Sequence, residues 1–254
     1  MKTAITRPVS PALENCELSF LARQPIDVAR AVVQHQAYER ALVACGCSVR
    51  GLPAEPVLPD SVFVEDTAIV LDEVAVITRP GAASRRPETP SVAKALSEYR
   101  TLLHLMSPAT LDGGDVLRLG RHVYVGQSAR SSVEGIRQLA ELLARFDYQV
   151  HAVPLRGCLH LKSAVTQIAP DLLLFNPTWV DAHHFADMRA VQVDAAEPHA
   201  ANALLLGNRL IYPASCPRTG AQLIEQGIGI LSVDMSETEK AEGGVTCCSL
   251  IFDS

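Results

Sequence analysis

No run of about 18 apolar residues, the length a membrane helix needs, occurs in the 254-residue chain. The opening residues, MKTAITRPVSPALENCEL, lack the apolar stretch of a secretory leader. An excess of basic charge is missing too: 22 Lys and Arg against 28 Asp and Glu give a net charge of −6. That balance argues against nucleic acid or an anionic membrane surface as the main partner, while leaving a cationic small substrate unrepelled. Cys45-Gly46-Cys47 and His183-His184 lack the paired ligand spacing of a zinc site, so no metal is expected. Low-complexity tracts and linkers are absent, which predicts a single domain over residues 1–254. The seven cysteines are odd in number and scattered. With no leader, they read as reduced thiols of a cytoplasmic protein, mostly buried as small hydrophobes.

What is present is a repeat. An apolar run, a turn and a second apolar run occur in SVFVEDTAIVLDEVAVITRP (61–80) and LDGGDVLRLGRHVYVGQS (111–128). The pattern returns in LHLKSAVTQIAPDLLLFNP (159–177) and ANALLLGNRLIYPA (201–214). GGVTCCSLIF (243–252) gives a fifth unit, expected to pair with the first strand around TAITRPV. Each first run begins with a polar cluster, and the steps Asp66, Asp115, Ser163, Asn202, Thr246 are 49, 48, 39 and 44 residues. Such periods indicate a repeated supersecondary unit. Helical spacing of apolar residues covers 26–46, 89–103, 131–147 and 217–228, with Asp27 near the start of the first and Gly46 past its end. Strand pairs alternating with helices make an α/β protein. Five units closing into a ring would bring the polar clusters together at a central channel.

Those clusters offer chemistry. A cysteine is intrinsically nucleophilic, a histidine can pass protons, and a carboxylate can fix the imidazole tautomer. Taken singly the residues have ordinary structural readings: Asp112 before Gly-Gly is a turn residue, Glu65-Asp66 a solvated strand edge, Arg85-Arg86 a solvated loop. Cys247 and Cys248 are neighbours, and a vicinal disulfide would close a strained ring. If the segment is a strand, its period of two sends them to opposite faces.

The segments LPDSVFVEDTAIV, ITRPGAASRR, ATLDGGDVL, GQSAR (126–130), LHLKS and GGVTCCS occur in an order and at distances that resemble the dimethylarginine dimethylaminohydrolases. These belong to the guanidine-modifying superfamily. The resemblance covers nearly the whole chain. It implies a five-bladed pseudo-symmetric α/β propeller of ββαβ-type units around a central channel, in agreement with the five repeats. It further implies Cys247 as nucleophile, His160 as general acid and base, and Asp112 as the carboxylate orienting it, a place some bacterial members fill with Glu. Asp66 and Glu65 would bind the guanidinium, Arg85 and Arg130 the α-carboxylate, and Asp60 the α-amine, with a main-chain contribution from Leu18 in a mobile lid. The implied reaction is hydrolysis of methylated arginine to citrulline through a covalent thiouronium, without cofactor. The implied partner is that small molecule, and a homodimer is left open. The rivals are a deiminase of unmethylated arginine or another guanidine, a non-catalytic propeller that binds a macromolecule, and a thiol protein using the Cys247-Cys248 pair. An arginine deiminase usually adds a helical domain for which the length leaves little room, and a binding propeller would not need Cys247 and His160.

Overall fold

Two short strands cannot bury an apolar face alone, and the chain solves this by repeating one unit five times around an axis. The computed structural model describes residues 1–185 and 188–254. In the first unit β1 (Lys2–Thr6) runs antiparallel to β15 (Leu250–Asp253) and parallel to β2 (Cys47–Gly51), with helix α1 (Val28–Ala44) as the crossover. The second sheet has β3 (Ala68–Val70), β4 (Val74–Ile77) and, after α2 (Thr89–Leu96), β5 (Thr101–His104). The third has β6 (Val116–Leu119), β7 (His122–Gln127) and, after α3 (Val133–Ala144), β8 (Gln149–Pro154). The short α4 (Leu161–Ala164) leads into the fourth, β9 (Val165–Ala169), β10 (Leu172–Phe175) and β11 (Arg189–Gln192). The fifth has β12 (Leu204–Leu206), β13 (Arg209–Pro213) and, after α5 (Pro217–Glu225), β14 (Gly229–Val233). The short α6 (Ser236–Glu239) then precedes the return to β15. Every sheet pairs its first two strands antiparallel in chain order, or β15 with β1, and its third strand parallel. This is the α/β propeller expected from the repeats. The expected closure by the last strand is realised, with Ile5 opposite Leu250 and Lys2 opposite Asp253.

Local signals explain the helices. The Asp27 side chain accepts from the Arg30 N–H, and Ser132 accepts from Gly135 N–H, each satisfying an orphan donor of a first turn. Gly46, at φ +87°, takes the left-handed conformation that stops α1. The helix expected over 89–103 ends at Leu96, because residues 101–104 are claimed by pairing with β4. No helix among the described residues is long and apolar enough to cross a membrane.

Two expectations about local structure are corrected. Glu65 and Asp66 lie not on a strand edge but in a buried 3-10 turn, Val64–Thr67. Cys247 and Cys248 lie in a turn, two residues before β15 begins, so strand alternation does not decide which way they point. In both places the residues of the turn run straight into the apolar residues of a strand, while the chain turns inward ahead of it.

Candidate active site

The turns that precede the first strand of each blade meet at the axis, and a closed circuit of hydrogen bonds joins them. Gly114 N–H donates to Asp66 Oδ1 at 3.0 Å, and Leu161 N–H to Asp115 Oδ1 at 3.0 Å. Asn202 Nδ2 donates to the Lys162 carbonyl at 3.0 Å, while Thr246 N–H donates to Asn202 Oδ1 at 3.1 Å. Glu65 N–H closes the circuit on the Cys247 carbonyl at 3.1 Å. The polar clusters of the repeat thus become one site by symmetry of position.

His160 stands just before α4, with Nε2 3.1 Å from Asp112 Oδ2 and Nδ1 3.8 Å from Asp66 Oδ1. Burial alone would depress its pKa, but the carboxylates of Asp66, Asp112 and Asp115 outweigh it and raise the imidazole to about 9. The ring is therefore a cation in the free protein. Asp112 is held from two more sides, by Gly81 N–H at 2.8 Å and Arg130 Nη1 at 3.5 Å. Gly114 has a necessary role here: a Cβ on it would fall 2.6 Å from His160 Nδ1 and 2.7 Å from Asp66 Oδ1. Asp66 Oδ2 accepts from Arg85 Nη1 at 2.5 Å. Burial works against its ionisation, yet His160 and Arg85 prevail and hold its pKa down at about 2.

Cys247 is brought up by Gly243 and Gly244. A Cβ on Gly243 would sit 2.3 Å from the Phe63 ring and one on Gly244 2.4 Å from Asn202 Oδ1, so only glycine allows this approach. Gly244 N–H donates to Cys247 Sγ at 3.3 Å, and Thr246 Oγ1 lies 3.9 Å from it. Burial, with the charges of Glu65 and Asp66, pushes the thiol up to about 12, so it is protonated at neutral pH. Cys248 is completely buried in the core beside α1. Tyr38 of that helix donates its hydroxyl to the Val245 carbonyl at 2.8 Å and bonds Ser249 Oγ at 2.6 Å, fastening the cysteine turn from behind. Cys247 also lines a cavity of about 290 Å³ that reaches toward the fourth and fifth blades.

The remaining expected residues are gathered nearby, some with different partners. Arg85 is buried and well partnered: Glu88 takes two of its donors at 3.2 and 2.9 Å, Asp66 a third, and the Phe63 carbonyl a fourth at 3.0 Å. A substrate carboxylate gripped by two donors at once would have to displace one of these. Glu65 gives one oxygen to Lys162 and the other to Thr246 Oγ1 at 2.8 Å, and lines a second cavity of about 300 Å³. Arg130, besides touching Asp112, donates to Ser19 Oγ at 3.3 Å. Asp60 accepts from Glu17 N–H at 3.1 Å, next to Leu18. Leu18 lies in an irregular segment whose Ser19, Phe20 and Leu21 N–H groups all point to the carboxylate of Glu242.

Sequence reasoning assigned no role to Asp115, Glu88, Asn202, Lys162, Thr246 or Glu242. Asp115 accepts from Ser128, Ser131 and the N–H of Leu161, and so fixes the backbone beside His160. Its burial raises its carboxyl to about 6. The equal spacing of the polar clusters was the available signal for Asp115, Asn202 and Thr246; nothing local marks Glu88 or Glu242. Among the described residues, one group has the composition and closeness to hold a metal: Asp66, Asp112 and His160. An ion there would compete with the Arg85 and Arg130 guanidiniums already seated on its two carboxylates.

Known proteins resemble this chain over most of its length. A curated N(G),N(G)-dimethylarginine dimethylaminohydrolase of Pseudomonas aeruginosa is 37% identical over 228 residues, 89% of this chain and 90% of its own length. Its namesake in Streptomyces coelicolor is 38% identical over 250 residues, with 98% and 96% covered. The structure of the P. aeruginosa protein, a cysteine-to-serine mutant complexed with citrulline, superimposes with a TM-score of 0.92 at 34% identity, over 98% of both chains. The family model described as "N,N dimethylarginine dimethylhydrolase, eukaryotic" matches residues 19–252. The chain belongs to the dimethylarginine dimethylaminohydrolase family.

Proposed function

We propose that this protein hydrolyses Nω-methylated arginines to citrulline and methylamine or dimethylamine, with Cys247 as nucleophile and His160 as general acid and base. The observation that carries the reading is the pairing of a protonated thiol at a cavity with a carboxylate, Asp66, kept ionised and a histidine kept charged beside it. A bound guanidinium adds positive charge next to Cys247, favours loss of the thiol proton to solvent to leave the thiolate, and places its own carbon for attack. The cation His160 then gives its proton to the departing amine, and the neutral ring takes one from the water that hydrolyses the thiouronium. Asp112 orients the imidazole throughout.

For the substrate's other end we assign the α-carboxylate to Arg130 and the α-amine to Asp60 with the main chain at Leu18. These are the charged groups closest to the segment held by Glu242. Arg85, paired with Glu88, serves by holding Asp66 toward the guanidinium and grips the carboxylate with two donors only by giving up a present partner. Glu65 acts through Thr246 on the cysteine turn. Seven unpaired cysteines suit a reducing compartment, which we take to be the cytoplasm.

Purified protein offered asymmetric dimethylarginine, monomethylarginine, arginine and agmatine tests the reading. Citrulline should form from the methylated pair and carbamoylputrescine should not form from agmatine. Turnover of arginine alone would replace this proposal with a deiminase.

A further inference from the structure

Of the residues assigned to chemistry, Cys247 alone lines the 290 Å³ cavity, so that space lies beyond the charged cluster rather than within it. Its wall includes Gly157, Cys158 and Leu159, the three residues running directly into His160. A nitrogen leaving between Cys247 and His160 therefore has this cavity as its adjoining space. Trp179, Pro213 and Cys216 also line it, as do Phe20 and Leu21, whose N–H groups are held by Glu242. Gly157, at φ +64°, brings the chain against the indole: a Cβ there would meet Trp179 Nε1 at 3.3 Å.

Charge is present at the rim but already engaged. Glu197 caps α5 through Arg218 and Thr219 N–H groups at 2.8 Å each, Glu239 accepts from Ser215 at 2.7 Å, and Glu242 accepts from the Ser19, Phe20 and Leu21 N–H groups. Burial pushes the thiols of Cys158 and Cys216 up to about 12 and about 11, so both are neutral wall atoms. Among the described residues each acid of the wall already accepts a hydrogen bond, and the one histidine, His199, has its ring 5.1 Å from that of Trp179, so the surface suits an uncharged apolar group. Size decides how large. At roughly 30 Å³ per water-sized group, 290 Å³ far exceeds the two methyls of a dimethylamino substituent.

We propose that this cavity is a subsite for the Nω-substituent, and that the substrate class extends to arginines bearing unbranched alkyl or benzyl groups larger than methyl. The inference rests on the methylarginine reading above. The balance of the reaction is unchanged: the Cys247 sulfur bonds to the guanidinium carbon, the bond to the substituted nitrogen breaks, and His160 supplies the proton. Water then releases citrulline, leaving butylamine or benzylamine as the second product.

The test compares kcat/KM for Nω-methyl-, Nω-butyl- and Nω-benzyl-arginine in the wild type and in Ala196→Trp, which fills the cavity from an exposed rim position. The larger substrates should be hydrolysed by the wild type within about tenfold of the methyl compound, and the benzyl-to-methyl ratio should fall at least about tenfold in the variant. Wild type that accepts methyl and refuses both larger groups overturns the subsite. So does an equal fall for all three in the variant, since the cavity would then be a common route. Absence of turnover even for methyl overturns the underlying reading, and this one with it. Pro198→Phe, on the same loop, repeats the comparison should Ala196→Trp melt early.

Discussion

The two sides of the candidate site are built on opposite plans. On one side Asp66, Arg85, Glu88, Asp112, Arg130 and His160 are buried and bonded to one another, every charge with a partner. On the other, Cys247 borders open space, and its closest polar company is one N–H and one hydroxyl. The first side is set before anything binds, with Asp66 ionised and His160 charged. The second is unready, because its thiol is held protonated by the same burial and carboxylates that make the site attractive to a cation. A guanidinium completes the set by supplying the charge that the thiol side lacks. The fixed side recognises, and the recognised ligand arms the other.

This contrast breaks most completely at the nucleophile. Cys247→Ser should cut citrulline formation by about a thousandfold or more, with the melting temperature nearly unchanged because the charged side is intact. Appreciable activity in this variant would remove the thiol from the mechanism. Asp66→Asn attacks the opposite side and should hurt twice. It takes away the carboxylate that faces the cation, lowering kcat/KM by about a hundredfold or more. It also leaves the buried Arg85 short of a partner, at a cost of about 3–5 kcal/mol in stability. Chemical denaturation and steady-state kinetics on one preparation separate the two effects.

A gentler probe is pH. The His160 pKa of the folded protein, about 9, lies above the ordinary 6.5, so folding favours the protonated ring. Its contribution to stability is complete below about pH 6.5 and is lost as pH rises through about 9. Melting temperatures from pH 6 to pH 10 should fall over that window in the wild type and fall less in His160→Asn. Parallel curves would mean that the imidazole is not charged in the free protein. The smallest effect on activity belongs to Cys248→Ser. It should stay within about threefold of wild-type turnover while losing about 1–3 kcal/mol of stability, since a hydroxyl replaces a thiol in a closed apolar setting. A collapse of activity matching that of Cys247→Ser would reverse the assignment of the two thiols.

Much of this was legible in the residues. The five hairpins follow from apolar runs broken at regular intervals, and the helices from capped 3.6-residue patterns. The gathering of the polar clusters was visible as a fairly regular spacing, which a ring converts into nearness, while the choice of Asp112, His160 and Cys247 within them came from the family resemblance. What stayed hidden has two physical causes. A short polar turn between two apolar runs merges with them into one apparent strand, as in VFVEDTAIV, so the 3-10 turn at Val64–Thr67 and the cysteine turn were misread locally. Side-chain destinations also depend on partners far away in the chain. Glu65 and Asp66 are neighbours with the same functional group, yet one turns to Lys162 and Thr246 and the other to Arg85 and Gly114. The family resemblance placed both on the guanidinium and left Arg85 open for a carboxylate, whereas Glu88, an unremarkable residue three positions on, occupies it.

The sheet behind Cys247 draws its strands from both extremes of the fold, β15 lying against β1 and β1 against β2. A chain emerging from its N-terminus can therefore gather the acids, the arginines and the imidazole well before any nucleophile is in position. A fragment cut short of Cys247 would keep every acid, arginine and imidazole of the charged side and lack the nucleophile. The nucleophile and the strand that closes the ring are thus neighbours in the chain, and the seam between β1 and β15 lies next to the reacting sulfur's turn rather than among the charged groups.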